Sequence, residues 1–148
     1  MTLRKSTAAF FVFGALAAGS SVALAAFATH GLQQTMNYPA DAVRTFIDAT
    51  EFQMNQGLAV IVVGLLCQVM RDGLARRIMQ VAGVLAAASL VLFSGSVYSS
   101  TFGGSAALAP VGGFSAMAGW LIFAAGAIVG VLKGDVRLAT GGRPQPAE

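Results

Sequence analysis

Residues 78–132 of the chain contain no aspartate, glutamate, lysine or arginine. A helix rises about 1.5 Å per residue and the hydrocarbon core of a bilayer is about 30 Å thick, so one crossing takes roughly 20 apolar residues. The uncharged stretch therefore has room for two crossings and a turn. A second uncharged stretch covers residues 6–40. A water-soluble domain of 148 residues could not cover its surface with so few charges. Only 10% of the chain is charged and 56% is apolar, against a charged share of about 25% in soluble domains. The mean hydropathy of +0.74 agrees.

The pattern predicts an all-α integral membrane four-helix bundle in a single domain, residues 1–133, with spans at about 8–28, 52–70, 78–98 and 111–132. Arg4 and Lys5 precede the first span, Arg71-Asp72-Gly73 closes the second, Arg76 and Arg77 open the third, and Lys133 ends the fourth. The long first connection holds Asp41, Asp48 and Glu51. Within it Pro39 and Asp41 mark a helix start, with the acid near the positive end of the helix dipole. Val43, Phe46, Ile47 and Thr50 share one face, so residues 39–50 are expected to form a short amphipathic helix at the membrane surface or a continuation of the second span. The glycine- and proline-bearing segment from 134 to 148 is expected to be a disordered cytoplasmic tail.

Basic residues in short loops stay on the cytoplasmic side. With the N-terminus inside, eight of the nine basic residues (Arg4, Lys5, Arg71, Arg76, Arg77, Lys133, Arg137 and Arg143) are cytoplasmic and Arg44 alone is external. Both termini are thus expected in the cytoplasm, in the inner (plasma) membrane. The basic start, the apolar run and Ala23-Leu24-Ala25 also resemble a cleavable signal peptide. An apolar run of about 21 residues is long for such a segment, where about 7–15 is usual, and retention is expected. A net charge of +3 does not point to nucleic acid, because the basic residues sit at span ends instead of in one stripe. Cys67, the single cysteine, lies in an apolar run and reads as a small packing residue.

Three stretches carry a family resemblance. They are Phe27-Ala28-Thr29-His30-Gly31-Leu32, Leu92-Phe93-Ser94-Gly95-Ser96-Val97-Tyr98, and Ala109-Pro110-Val111-Gly112-Gly113 followed by Gly119-Trp120. In this order they resemble the family known as domain of unknown function 423, which includes the transmembrane-protein-256 group, over residues 10–131 or so. The resemblance implies a four-helix protein of the inner or an organellar membrane with no assigned reaction, and a His30 segment kept in the mature protein. One departure stands at the start of the second span. There the family has a tyrosine-glutamine pair followed by histidine, whereas this chain has Phe52-Gln53-Met54-Asn55-Gln56. Any role resting on two histidines is in doubt here.

His30, the only histidine, suits either a proton-responsive group or a helix-end hydrogen bonder beside a left-handed Gly31, and the structural reading is preferred. A metal site would need further ligands, and no metal or cofactor is expected. Glu51, Gln53, Asn55 and Gln56 crowd the start of the second span, with Gln53 and Gln56 on one face. Polar groups at membrane depth face the bundle interior or water, so His30, Glu51, Gln53, Gln56 and Tyr98 form a candidate polar cluster. Interhelical bonding that merely fixes packing is the plainer reading of the same residues. Gly57, Gly64, Ser115, Gly119, Gly126 and Gly130 are candidate packing positions, inside the bundle in preference to a homodimer seam. Trp120, well within the fourth span, reads as a packing residue. The expected role is non-enzymatic: a structural or accessory component packing with lipids, a larger membrane complex or a second copy. A minimal transporter or channel, or a membrane enzyme acting on a lipid or quinone, are the alternatives.

Overall fold

A computed structural model describes residues 4–134. Residues 135–148, all of the expected tail but Gly134, with Arg137 and Arg143 among them, lie outside the described residues. Four helices run in order: α1 (Lys5–Ala26), α2 (Ala40–Val69), α3 (Leu74–Thr101) and α4 (Ala109–Leu132). All four are long and apolar enough to cross a membrane. Each extends beyond the minimal span read from hydropathy. Hydropathy marks only the apolar middle of a helix, whereas backbone hydrogen bonding continues into the polar flanks.

Helix α1 does not stop at Ala26. It continues as a π-helical stretch, Phe27–Thr35. The wider winding shows in Met36 N–H donating to Gly31 O at 2.9 Å and Tyr38 N–H to Leu32 O at 3.0 Å. Gly31 therefore lies inside helical structure and is not the left-handed cap expected of it. A Cβ there would meet the Phe27 ring at 2.6 Å, so its smallness makes room for that ring. Asn37 takes the left-handed conformation instead, at φ 56°, a residue whose short polar side chain tolerates it. Residues 39–50 are continuous with α2, Pro39 standing at its N-cap and Asp41 in its first turn. Val43 and Phe46 turn inward onto Ala28 and Leu32 and do not lie flat on the membrane.

Neighbours in sequence are neighbours in space: α1 packs on α2, α2 on α3 and α3 on α4. The seams are built from small side chains. Helix α1 buries Thr7, Gly14, Ala17 and Ser21; α4 buries Gly112, Ala116, Gly119, Gly126 and Gly130. Lipid tails are as apolar as leucine, so helices in a bilayer associate through close contact and hydrogen bonds more than through burial of greasy surface. A close backbone approach joins α1 to α2: a Cβ on Gly14 would stand 2.6 Å from Gly57 O, and one on Gly57 would stand 3.0 Å from Ala18 N. Gly64 meets Phe10 and Phe11, while Gly126 meets Ile78 and Met79, and Gly130 meets the Met70 methyl at 3.0 Å. Gly119 faces the α3 backbone at Ala82 and Ala86, and Ser115 Oγ donates to Leu85 O at 3.1 Å. The packing glycines and Ser115 thus all lie against neighbouring helices of the same chain. Gly83 and Gly112, not singled out from sequence, do the same against Val63 and Phe93.

One end of the bundle is basic and the other aromatic. At the basic end Arg4 Nη1 lies 2.6 Å from Asp72 Oδ1, and Arg76 bonds the same oxygen. This pins the start of α1 to the α2–α3 turn. Cys67 is buried beside Val63, Met70, Ala75 and Met79. At the other end Phe46 contacts Phe27, Tyr98 and Phe102, with ring centroids 6.2, 4.5 and 6.5 Å away.

Gly14→Ala is expected to lower the thermal midpoint in detergent, since overpacking costs about 1–3 kcal/mol. Gly19→Ala, where a Cβ would meet nothing within 4 Å, leaves it unchanged or raised. Equal midpoints would place the α1–α2 seam elsewhere. The Arg4 hydrogen bond, reinforced by Arg76, holds the Asp72 carboxyl below its usual value of 3.8. A depressed carboxyl contributes stability above that value and loses it as pH falls through the folded one. The stability difference between wild type and Asp72→Asn is therefore expected at pH 6 or so and should vanish under strong acid, as read by thermal denaturation. Asp72 is largely exposed, so the difference also shrinks at about 1 M salt.

Candidate functional site

The polar start of α2 sits where the helix must satisfy side chains deep within apolar surroundings. Gln53 is buried. Its Nε2 donates to Ala17 O at 2.8 Å and to Ser20 Oγ at 2.8 Å, both on α1. Its Oε1 accepts from Tyr98 Oη on α3 at 2.9 Å. One carboxamide thus joins three helices. Gly57 lies one turn along α2 from Gln53, and Gly14 nearly one turn along α1 from Ala17. The close backbone approach at these glycines is what brings Ala17 O within reach of an amide. One turn earlier on α2, Ser94 Oγ donates to Ala49 O at 2.9 Å and ties α3 to α2 again.

Of the five residues in the expected cluster, the structure brings Gln53 and Tyr98 into direct contact. His30 is exposed, and its Nδ1 lies 3.2 Å from Gln34 Oε1 within the same helical stretch. The buried residues of that stretch are Ala28 and Leu32, which leaves His30 on the opposite face. Glu51 is exposed beside Met54 and Asn55 in a surface hollow between α1 and α2. At about 100° per residue it projects roughly 160° away from Gln53. No hydrogen bond or ion pair among the described residues joins His30 or Glu51 to Gln53, Gln56 or Tyr98. Nor does any group of three histidine, cysteine or acidic residues among them come together as a metal site would require.

Gln56 departs from Gln53 by about 60° around the helix and enters different surroundings. It is 4% exposed, and its Oε1 is buried without a hydrogen-bond partner among the described residues. It borders a groove between α2 and α4 of about 570 Å³, walled by Phe52, Leu58, Val62, Trp120 and Phe123, with Asn55 also lining it. The groove exists because α4 is held chiefly by α3, so α2 and α4 splay apart. Trp120 and Phe123 pack edge to face, 5.8 Å between centroids. The sequence points to Trp120 as a packing residue within the fourth span. The structure leaves it 48% exposed on the groove wall. The one available signal was its lone indole N–H in mid-span. Ser20 and the Ala17 carbonyl, which complete the Gln53 junction, carry no signal at all, because a helix carbonyl reached through a close backbone approach has no signature in sequence.

Comparison with known proteins adds the following. A family model described as Protein of unknown function (DUF423) matches residues 24–113. That segment holds all of α2 and α3 and ends before Trp120. A protein of Staphylococcus epidermidis called UPF0382 membrane protein is 32% identical over 116 residues, covering 76% of this chain and 89% of that one. Similar proteins of the same description occur in Staphylococcus saprophyticus, 30% identical over 79% of this chain and 94% of that one, and in Haemophilus influenzae, 33% identical over 71% and 82%. No solved structure matches the chain.

Removing the Gln53 junction is expected to loosen the bundle without unfolding its helices. Interhelical hydrogen bonds in membranes average about 0.6 kcal/mol and reach about 1.7. Gln53→Leu should therefore cost about 1–2 kcal/mol and Tyr98→Phe about 0.6 kcal/mol. A double-mutant cycle in detergent should return a positive coupling between them, and strict additivity would mean that the Tyr98–Gln53 bond contributes nothing.

Proposed function

For this chain, which belongs to the DUF423 family of proteins of unknown function, we propose a non-catalytic role as a structural or accessory component of the inner (plasma) membrane that packs with lipids or with a larger membrane complex. The observation that carries the reading is the use made of polar groups. Gln53, Tyr98, Ser94 and Ser115 are spent on joining helices of the same chain. Helix α4 meanwhile presents Phe114, Met117, Leu121, Ile128, Val131 and Leu132 outward. A helix attached by one glycine-rich edge and greasy on the rest is suited to lie against lipid or a neighbouring helix.

A minimal transporter has less support. Coupling residues in transporters lie near the bilayer midplane. Here the acidic and basic side chains of the described residues cluster toward the two ends of the bundle, from Asp41 to Glu51 at one and around Asp72 at the other. An enzyme using His30 and Glu51 together also has less support, since no hydrogen bond or ion pair among the described residues joins the two. The orientation that accompanies the reading puts both termini in the cytoplasm, on the strength of the basic residues at the Arg4 end.

Two measurements test the proposal. Reporter fusions after Lys133 and within residues 33–45 should report cytoplasm and exterior respectively; the opposite pair would reverse the topology. Affinity purification in mild detergent from native membranes should recover a fixed membrane-protein partner or a stoichiometric lipid, with Phe114→Asn and Leu121→Asn together reducing the recovery several-fold. Recovery of the bare chain, or recovery unaffected by these changes, would argue against an accessory role through α4.

A further inference from the structure

We propose that the α2–α4 groove is a binding site for an uncharged long-chain alcohol, whose hydroxyl bonds the Gln56 carboxamide. The inference stands apart from the accessory role and could hold or fail without it. It starts from Gln56 Oε1, buried and unpartnered among the described residues. An orphaned carbonyl oxygen in apolar surroundings is costly, and buried polar atoms nearly always find a partner. Gln53, three residues earlier and of the same type, is satisfied at both ends of its carboxamide. The lack of a partner for Gln56 Oε1 among the described residues is thus specific to its place.

That place has two parts. Beneath the groove lies a void of about 10 Å³ bordered by Gln56, Val63, Ala82, Ala86, Ala116 and Gly119. The groove and the void share Gln56, Ala59, Trp120 and Phe123 as walls. The void is about the size of one probe sphere, the lower limit for a single water. The exposed lining of the void is apolar, so a lone water there would lack the two to four partners that buried water normally takes. A hydroxyl delivered on a hydrocarbon chain escapes that problem, because the chain supplies its hold through the groove. The groove volume lies within the range of small-molecule sites, about 300–1,000 Å³.

The chemistry narrows the ligand further. Leu58, Val62 and Trp120 on the groove walls are each about half exposed on the flank of the bundle, so the occupant arrives from the hydrocarbon. An ionised headgroup is excluded at that depth by its desolvation cost. A quinone or ether oxygen only accepts hydrogen bonds and cannot pair with Oε1. A hydroxyl donates as well as accepts, so it can pair with Oε1.

Trp120 is the only tryptophan of the chain and stands on the groove wall, which makes the test direct. In phosphatidylcholine nanodiscs, 9,10-dibromooctadecanol should quench Trp120 fluorescence saturably, at about tenfold lower mole fraction than its methyl ether, equivalent to about 1.4 kcal/mol. Gln56→Met should bring the two probes to the same concentration dependence. Ala59→Phe, which fills the groove and keeps the carboxamide, should abolish saturable quenching by both. Circular dichroism and monodisperse elution confirm that each variant is folded. Displacement of the bromoalcohol by farnesol at lower mole fraction than by octadecanol would identify an isoprenoid alcohol as the source, and the reverse order a fatty alcohol. Equal quenching by alcohol and ether in wild type, an alcohol preference that survives Gln56→Met, or equal displacement by octadecane would overturn the proposal.

Discussion

The structure depends on one carboxamide and the two glycines that let it work. In a bilayer, helices gain little by burying apolar side chains against one another, because lipid offers the same surroundings. What remains is close packing and hydrogen bonding, and at the Gln53 junction each makes the other available. Gly14 and Gly57 allow α1 and α2 to approach until a Cβ could not fit between them. At that separation Gln53 reaches the Ala17 carbonyl, which already serves its own helix, and the Ser20 hydroxyl. Tyr98 then draws α3 to the same point. The aromatic end packs around this junction, with Phe46 against Tyr98 and the π-helical turns of residues 27–35 bringing Ala28 and Leu32 onto it.

Helix α4 is joined differently. Its buried edge consists of four glycines and one alanine, and among the described residues its side-chain hydrogen bond to α3 runs from Ser115 to the Leu85 carbonyl. A smooth edge permits a long, close contact with α3, with no comparable contact to α2. The consequence is a three-helix core with a fourth helix docked on its side. Gln56 sits at the resulting gap. Two glutamines on one helix, one turn apart, therefore have opposite fates: one is consumed by architecture, the other is left facing a cleft.

The overall plan was readable because it follows from quantities local in the chain. Uncharged stretches longer than a bilayer is thick must cross it, since lipid offers backbone polar groups no partner and a helix satisfies them internally. The number of spans and the helical class are therefore consequences of composition along residues 6–40 and 78–132, and glycine spacing in α2 and α4 marked which edges come together. The candidate cluster was legible only in part. A hydrogen bond joins Gln53 to Tyr98, while His30 and Glu51 share with them a similar depth and no hydrogen bond. Depth comes from position along the chain, but direction around the axis near His30 depends on the π-helical winding, which turns each residue through less than the about 100° of an α-helix.

By itself, then, the sequence determined a four-helix membrane bundle, its small-residue seams and the depth of its polar groups, because hydropathy, side-chain volume and spacing are properties of the chain alone. Only the tertiary structure decided that Gln53 closes a three-helix junction, that His30 and Glu51 point away from it, that α4 leans on α3 and leaves Trp120 beside an open groove, and that Gln56 is left without a partner. Each of these depends on where a neighbouring backbone comes to rest, and that position is fixed by contacts between residues far apart in the chain.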